Sequence, residues 1–176
     1  MAITNYERLL WVLAEEMDSS ISSCFTKVKE KYEWVESQEE AESLARRLRG
    51  IFIASLVGEV EEKIALNFSS VFSRLSDSPT TQDSEYWFSH MPKSSTPRGR
   101  AKVMWAIRIA YTHGNGNISQ IGDPKIKKFL ESAFVNKHFD GIKVENDIVT
   151  GLEKVPYPAI KTVLEIENIF LGTTTT

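Results

Sequence analysis

The run GIFIASLVG at residues 50–58 is apolar nearly all the way round a helix, and no other stretch constrains the chain as tightly. A helix without a polar face has none to turn to water, which predicts the central helix of a bundle. The run sits inside a longer helical stretch that begins near Ser37, where SQEE resembles a capping box, and continues to Leu75. Before it, Leu9, Leu10, Val12, Leu13, Met17, Ile21, Cys24, Phe25 and Val28 recur at spacings of three and four. They predict an amphipathic helix from about Asn5 to Val35.

Residues 76–99, SDSPTTQDSEYWFSHMPKSSTPRG, have the composition of a long loop holding the aromatic cluster Tyr86, Trp87 and Phe88. AKVMWAIRIAYTH then reads as a third core helix, stopped by GNGN. DPKIKKFLESAFVN opens with an Asp cap and a Pro at the first helical position, the start of a short fourth helix. Ile142-Lys143-Val144 and Ile148-Val149-Thr150 alternate on either side of Glu145-Asn146-Asp147, the pattern of a β-hairpin. Pro156 or Pro158 starts a last helix, with Ile160, Val163, Leu164, Ile166, Ile169 and Phe170 as its inward residues. The expectation is a single all-α domain over 1–176, a helical bundle with a small hairpin near the C-terminus and a frayed tail at 172–176.

Cys24 is the sole cysteine, which excludes an intramolecular disulfide and a thiolate-rich zinc site and points to a reducing, cytoplasmic setting. Three scattered histidines give no ligand spacing, so neither metal nor cofactor is expected. No segment reaches the length of an uninterrupted apolar membrane span, and the N-terminus lacks the basic start and clean apolar run of a signal peptide.

Function is best sought in the third helix. Stepping 100° per residue, Val103, Met104, Ile107 and Tyr111 share a core-facing side, while Ala101, Trp105 and Ile109 form a second apolar stripe. A second stripe calls either for complete burial within the chain or for a homodimer contact. Arg108 and Thr112 flank it, and His113 lies roughly 140° round from Arg108. Two copies packed along the stripe would bring both pairs into one cleft.

From Tyr86 to Gly122 the chain has no Asp or Glu, yet holds Lys93, Arg98, Arg100, Lys102 and Arg108 with His90 and His113, although its net charge is -3. Such an acid-free stretch predicts a phosphate-bearing ligand, with Arg98, Arg100 and Lys102 as RNA-binding residues. A histidine can take the proton of a ribose 2′-OH, and an arginine fork can hold the phosphate oxygens as charge builds on them. This is metal-independent RNA cleavage, with Arg108 and His113 as the catalytic pair and Thr112 and Asn115 supporting them. The structural alternative is a histidine placed near a helix C-terminus for the dipole, with Arg108 paired to Glu59, Glu61 or Glu62.

Arg108-Ile-Ala-Tyr-Thr-His113, followed by HGNGNIS and preceded by the apolar helix GIFIASLVGEVEEKI, resembles the HEPN superfamily with its Arg-x4-6-His motif. The C-terminal FDGIKVENDIVTGLEKVPYPAIKTVLEIENIFL is similar to the hairpin and closing helix of several HEPN subfamilies. The resemblance implies an all-α endoribonuclease of a prokaryotic toxin or phage-defence type, a site shared across a homodimer, and an antitoxin or regulatory protein as a further partner. It places Arg108 and His113 as the ribonuclease pair. Ile109 stands where active members often carry Asn, Asp or His, and this leaves open a non-catalytic RNA- or protein-binding module. Asn115 stands where toxins paired with nucleotidyltransferases carry Tyr, which sets the chain apart from that subgroup.

Overall fold

The computed structural model describes residues 38–67, 88 and 91–171, together with positions 8, 12, 15, 16, 19, 20 and 23. Those seven early positions are helical and exposed, in keeping with an N-terminal helix, but Val12 of its expected apolar face is among them at 52% exposed, while Cys24 and the other residues of that face lie outside the described residues. Of the described residues 73% are helical, and a single antiparallel strand pair stands near the C-terminus.

Helix α1, Gln38–Asn67, buries Ile53, Leu56, Val57, Val60 and Ile64, a stripe at helical spacing. The all-round apolar run is not enclosed as expected. Ile51 is 51% exposed and continues an apolar stripe through Leu44 and Leu48, because α1 turns only one side to its two described neighbours, α2 (Thr96–Gly114) and α5 (Pro156–Leu171). These three helices form the core. At their crossing Gly50 has no side chain, so the ring of Tyr111 rests directly on the α1 backbone.

The start of α2 lies earlier than its loop-like composition implies. Ser95 caps the helix by accepting a hydrogen bond from the Arg98 N–H at 3.4 Å, and Pro97 occupies the first turn. The sequence Ser-Thr-Pro is thus a helix start inside the stretch expected as loop. Phe88 of the aromatic cluster is fully buried and meets Trp105 edge-on at 6.0 Å, so it pins this connection to the bundle. Tyr86, Trp87 and His90 lie outside the described residues.

Asn115, at φ 51°, ends α2 in the left-handed conformation, and Gly116 follows at φ 87° with its N–H donating to the Ala110 carbonyl at 3.0 Å. The expected fourth helix is two: α3 (Pro124–Leu130), capped by Asp123, and α4 (Ala133–His138), which restarts after Ser132. Ser132 breaks the run by turning its hydroxyl to the Phe129 carbonyl at 2.6 Å.

Strands β1 (Lys143–Glu145) and β2 (Ile148–Thr150) pair with Val144 opposite Val149. Their turn is the two-residue Asn146-Asp147, both at positive φ, and not the three-residue connection expected. The hairpin docks onto the end of α2: the Val149 N–H donates to the Gly116 carbonyl at 2.9 Å, and the Ile118 N–H to the Asp147 carbonyl at 2.7 Å. GNGN therefore does more than stop a helix. Helix α5 starts at Pro156 and buries Ala159, Ile160, Thr162, Val163 and Ile166, whereas Ile169, an expected inward residue, is 45% exposed. No helix among the described residues is long and apolar enough to cross a membrane.

Candidate functional site

The residues singled out by sequence divide between the two ends of α2. At the C-terminal end, Arg108 donates from Nη1 to the carboxylate of Glu61 on α1, with the two side chains 33% and 15% exposed. This is one of the carboxylates available to the structural alternative. Thr112 returns its hydroxyl to the Arg108 carbonyl at 2.8 Å, the common fate of a threonine on an exposed helical turn. His113 and Asn115 are exposed, and His113 makes no hydrogen bond or ion pair among the described residues. Since α2 runs unbroken from Thr96 to Gly114, Arg108 and His113 keep their roughly 140° separation about the axis, and one chain does not bring them together.

The second stripe is partly consumed within the chain. Ala101 is 1% exposed, while Trp105 and Ile109 pack half-buried against the core, Trp105 beside Phe88. Only these last two reach the surface. Val103, Met104, Ile107 and Tyr111 are buried, as the core-facing side requires. Burial pushes the Tyr111 phenol up to about 12, against the opposing pull of Arg46, and its hydroxyl donates to the Val149 carbonyl at 3.1 Å. The ring thus ties helix, hairpin and α1 together.

The N-terminal end of α2 is built differently. Its first turn holds no acid, although the partial positive charge of a helix start favours one, and instead Arg98, Arg100 and Lys102 follow one another along the opening turns. Arg98 and Lys102 line a cavity of about 330 Å³ together with Lys93, Ser94 and Ser95 from the preceding loop and Phe134, Lys137 and His138 from α4. Among the described residues no carboxylate lines it. Lys102 Nζ also lies 5.5 Å from the centre of the Phe88 ring, and Arg98 Nη1 donates to the Met91 carbonyl at 3.2 Å, so the charged ends of both side chains already make contacts within the fold.

Arg100, the third candidate for RNA contact, is turned elsewhere. Its Nε donates to the His138 carbonyl at 3.4 Å and its guanidinium stands 5.9 Å from the Phe139 ring, where it closes the C-terminal end of α4. Gly99 allows α4 to come this close, because a side chain there would run into the His138 ring. Burial first, then Lys137 and Arg100, hold the His138 imidazole below the ordinary histidine range, so it is neutral at pH 7.

Sequence reading located Lys93, Arg98 and Lys102 but missed Lys137 and His138, treating the latter as a turn residue. The available signal was the second acid-free stretch, SAFVNKHF at 132–139, which becomes meaningful only when α4 folds beside the first turn of α2. Among the described residues no group of three or more His, Cys, Asp or Glu side chains stands close enough together to hold a metal ion. No family model, curated protein or solved structure matches the chain.

Proposed function

We propose that the chain is a HEPN-like RNA-binding module whose contact surface is the basic cavity at the start of α2. One observation carries the reading: Lys93, Arg98, Lys102 and Lys137 converge from three segments on a cavity that no carboxylate lines among the described residues, in a chain of net charge -3. Cations held close together repel one another, and a phosphate group relieves that repulsion while satisfying their donors. Phe134, 37% exposed at the cavity, offers a ring face to an unstacked base, which favours single-stranded RNA over a duplex. The test is fluorescence anisotropy with a labelled single-stranded RNA and the double variant Arg98→Glu/Lys102→Glu. Loss of binding is expected, and binding that survives the double charge reversal would remove the reading.

A second reading, metal-independent RNA cleavage by a homodimer, is favoured by the exposure of His113 and by the one-third exposure of Arg108 at the opposite end of the helix. In it the 2′-OH loses its proton to His113 and the 2′-oxygen attacks phosphorus. The bond to the 5′-oxygen breaks, that oxygen is protonated, and a 2′,3′-cyclic phosphate and a 5′-hydroxyl result. Arg108 would exchange Glu61 for the phosphate oxygens, and the partner copy would supply the second pair across Trp105 and Ile109. Its setting is the toxin or phage-defence one, with an antitoxin or regulatory protein as partner. Cleavage with a chelator present that disappears in His113→Ala, together with a dimer mass by light scattering, supports this reading; no cleavage, or a monomer, sinks it.

A further inference from the structure

His138 reaches the basic cavity from the last turn of α4, and the fold brings its ring against the first turn of α2. Gly99 permits the approach, because the ring occupies the room a side chain there would need. The Phe134 ring packs on the same imidazole with 4.5 Å between centres, and the His138 carbonyl accepts from Arg100 Nε at 3.4 Å. Ring and backbone are thus held in place, yet neither ring nitrogen makes a hydrogen bond among the described residues. A neutral imidazole offers one donor and one acceptor, and both are unused in a space that Lys93, Arg98, Lys102 and Lys137 also line.

We infer that RNA binding at this cavity takes up a proton at His138, an inference that rests on the RNA reading above and adds the regulation of that site by pH. In the free protein the ring stands among cations. Lys137 is beside it on α4, Arg98, Arg100 and Lys102 are on the opening turns of α2, and Lys93 is in the preceding loop. Helix α3 meets α4 through Phe129 against Phe134, and its Lys127 is engaged by Asp147. Asp140, the nearest carboxylate along the chain, reaches toward Lys154 at 3.9 Å. Burial first, then Lys137 and Arg100, disfavour the imidazolium. A phosphate seated in the cavity opposes that effect, since its charge favours the imidazolium and a protonated ring donates from both nitrogens. The coupling is reciprocal: a ligand that raises the proton affinity of His138 binds more tightly once the proton is on. Affinity is therefore flat where the ring is neutral with and without RNA, rises as pH falls through the pKa of the bound state, and levels off where the free ring is protonated as well.

The experiment titrates the whole chain with an oligouridylate ending in hydroxyls, whose bases and diesters keep their charge between pH 6 and pH 8, with inorganic sulfate as a small anion of equally constant charge. Calorimetry in buffers of different ionisation enthalpy counts the protons taken up. Wild type and His113→Gln are expected to bind the strand about three- to tenfold more tightly at pH 6 than at pH 8, with proton uptake, and in His138→Gln that ratio should fall to about one. Because glutamine replaces a ring that packs on Gly99, the His138 imidazole is also followed by NMR in the wild type, where its titration should move to higher pH in the presence of the strand. Binding without a pH ratio or proton uptake, or with an unmoved His138 titration, overturns the coupling and leaves the RNA reading standing. Proton uptake that persists in His138→Gln overturns it as well. If the strand binds at neither pH, the RNA reading falls and sulfate decides the coupling alone: a His138 titration shifted upward by sulfate keeps it, and an unshifted one removes it.

Discussion

Both ends of α2 carry an arginine on a helical turn, yet their surroundings treat it in opposite ways. At the C-terminal end the fold answers its own charges: Arg108 meets Glu61, Thr112 bonds back to the helix, and the Tyr111 hydroxyl and Gly116 carbonyl anchor the hairpin. At the N-terminal end Arg98 and Lys102 gather with Lys93 and Lys137 around a space that no acid lines among the described residues, at the end of the helix where positive charge is least favourable. The proposed RNA contact rests on this difference between the two ends, since local departures from electrostatic preference concentrate where function is served. The Arg-x4-6-His motif drew attention to the satisfied end; the cavity lies at the other.

The contrast breaks most readily through binding. Arg98→Glu/Lys102→Glu is expected to weaken RNA binding by about a hundredfold or more and to flatten its salt dependence, read as the slope of log affinity against log salt. Arg108→Ala should leave both unchanged. If the reverse holds, the functional end has been misassigned. Stability sharpens the same contrast. Gly50→Ala drives a methyl group into the Tyr111 ring and should destabilise the fold by about 1–3 kcal/mol in urea unfolding, despite the better helix propensity of alanine. An unchanged midpoint would mean that the C-terminal end is packed more loosely than described.

The Tyr111 phenol makes a pH prediction. Its folded pKa lies above the unfolded value of 10, so its preference for the neutral form is fully present below pH 10 and is lost as pH rises through about 12. The wild type should therefore lose about 2 kcal/mol more than Tyr111→Phe between pH 9 and pH 12, compared by urea unfolding at the two pH values. Parallel losses would show that the phenol is not held as described. Arg108→Ala, which removes the ion pair to the largely buried Glu61, should cost about 1–2 kcal/mol by thermal unfolding, and Glu61→Gln in the same background should recover part of it. His113→Ala completes the series. At an exposed position without a described partner it should shift stability by no more than about 0.5 kcal/mol, and a larger loss would reveal a structural role for the imidazole.

Much of the architecture could be read from local pattern. The buried face of α2, the stop at Asn115, the cap at Asp123, the hairpin strands and the start of α5 at Pro156 all follow from spacing, caps and turn residues a few positions apart. Where local signals conflicted, the reading slipped. Ser95-Thr96-Pro97 has loop composition but starts a helix, and Ser132 splits what looked like one helix into two. GIFIASLVG gave the position of a core helix without revealing that Ile51 faces outward, because periodicity cannot say how many neighbours a helix will have.

By itself the sequence determined the helices, the acid-free stretch and the cations within it, since propensity, capping and charge are properties of neighbouring residues. Only the tertiary structure decided which charges would be answered. Arg108 and Glu61 are far apart in the chain and meet because α1 and α2 pack together; Lys137 and His138 reach Arg98 and Lys102 because α4 closes on Gly99. Coulomb interactions depend on distance in space rather than along the chain, so these arginines could not be sorted by the partners they meet before the fold had placed their neighbours.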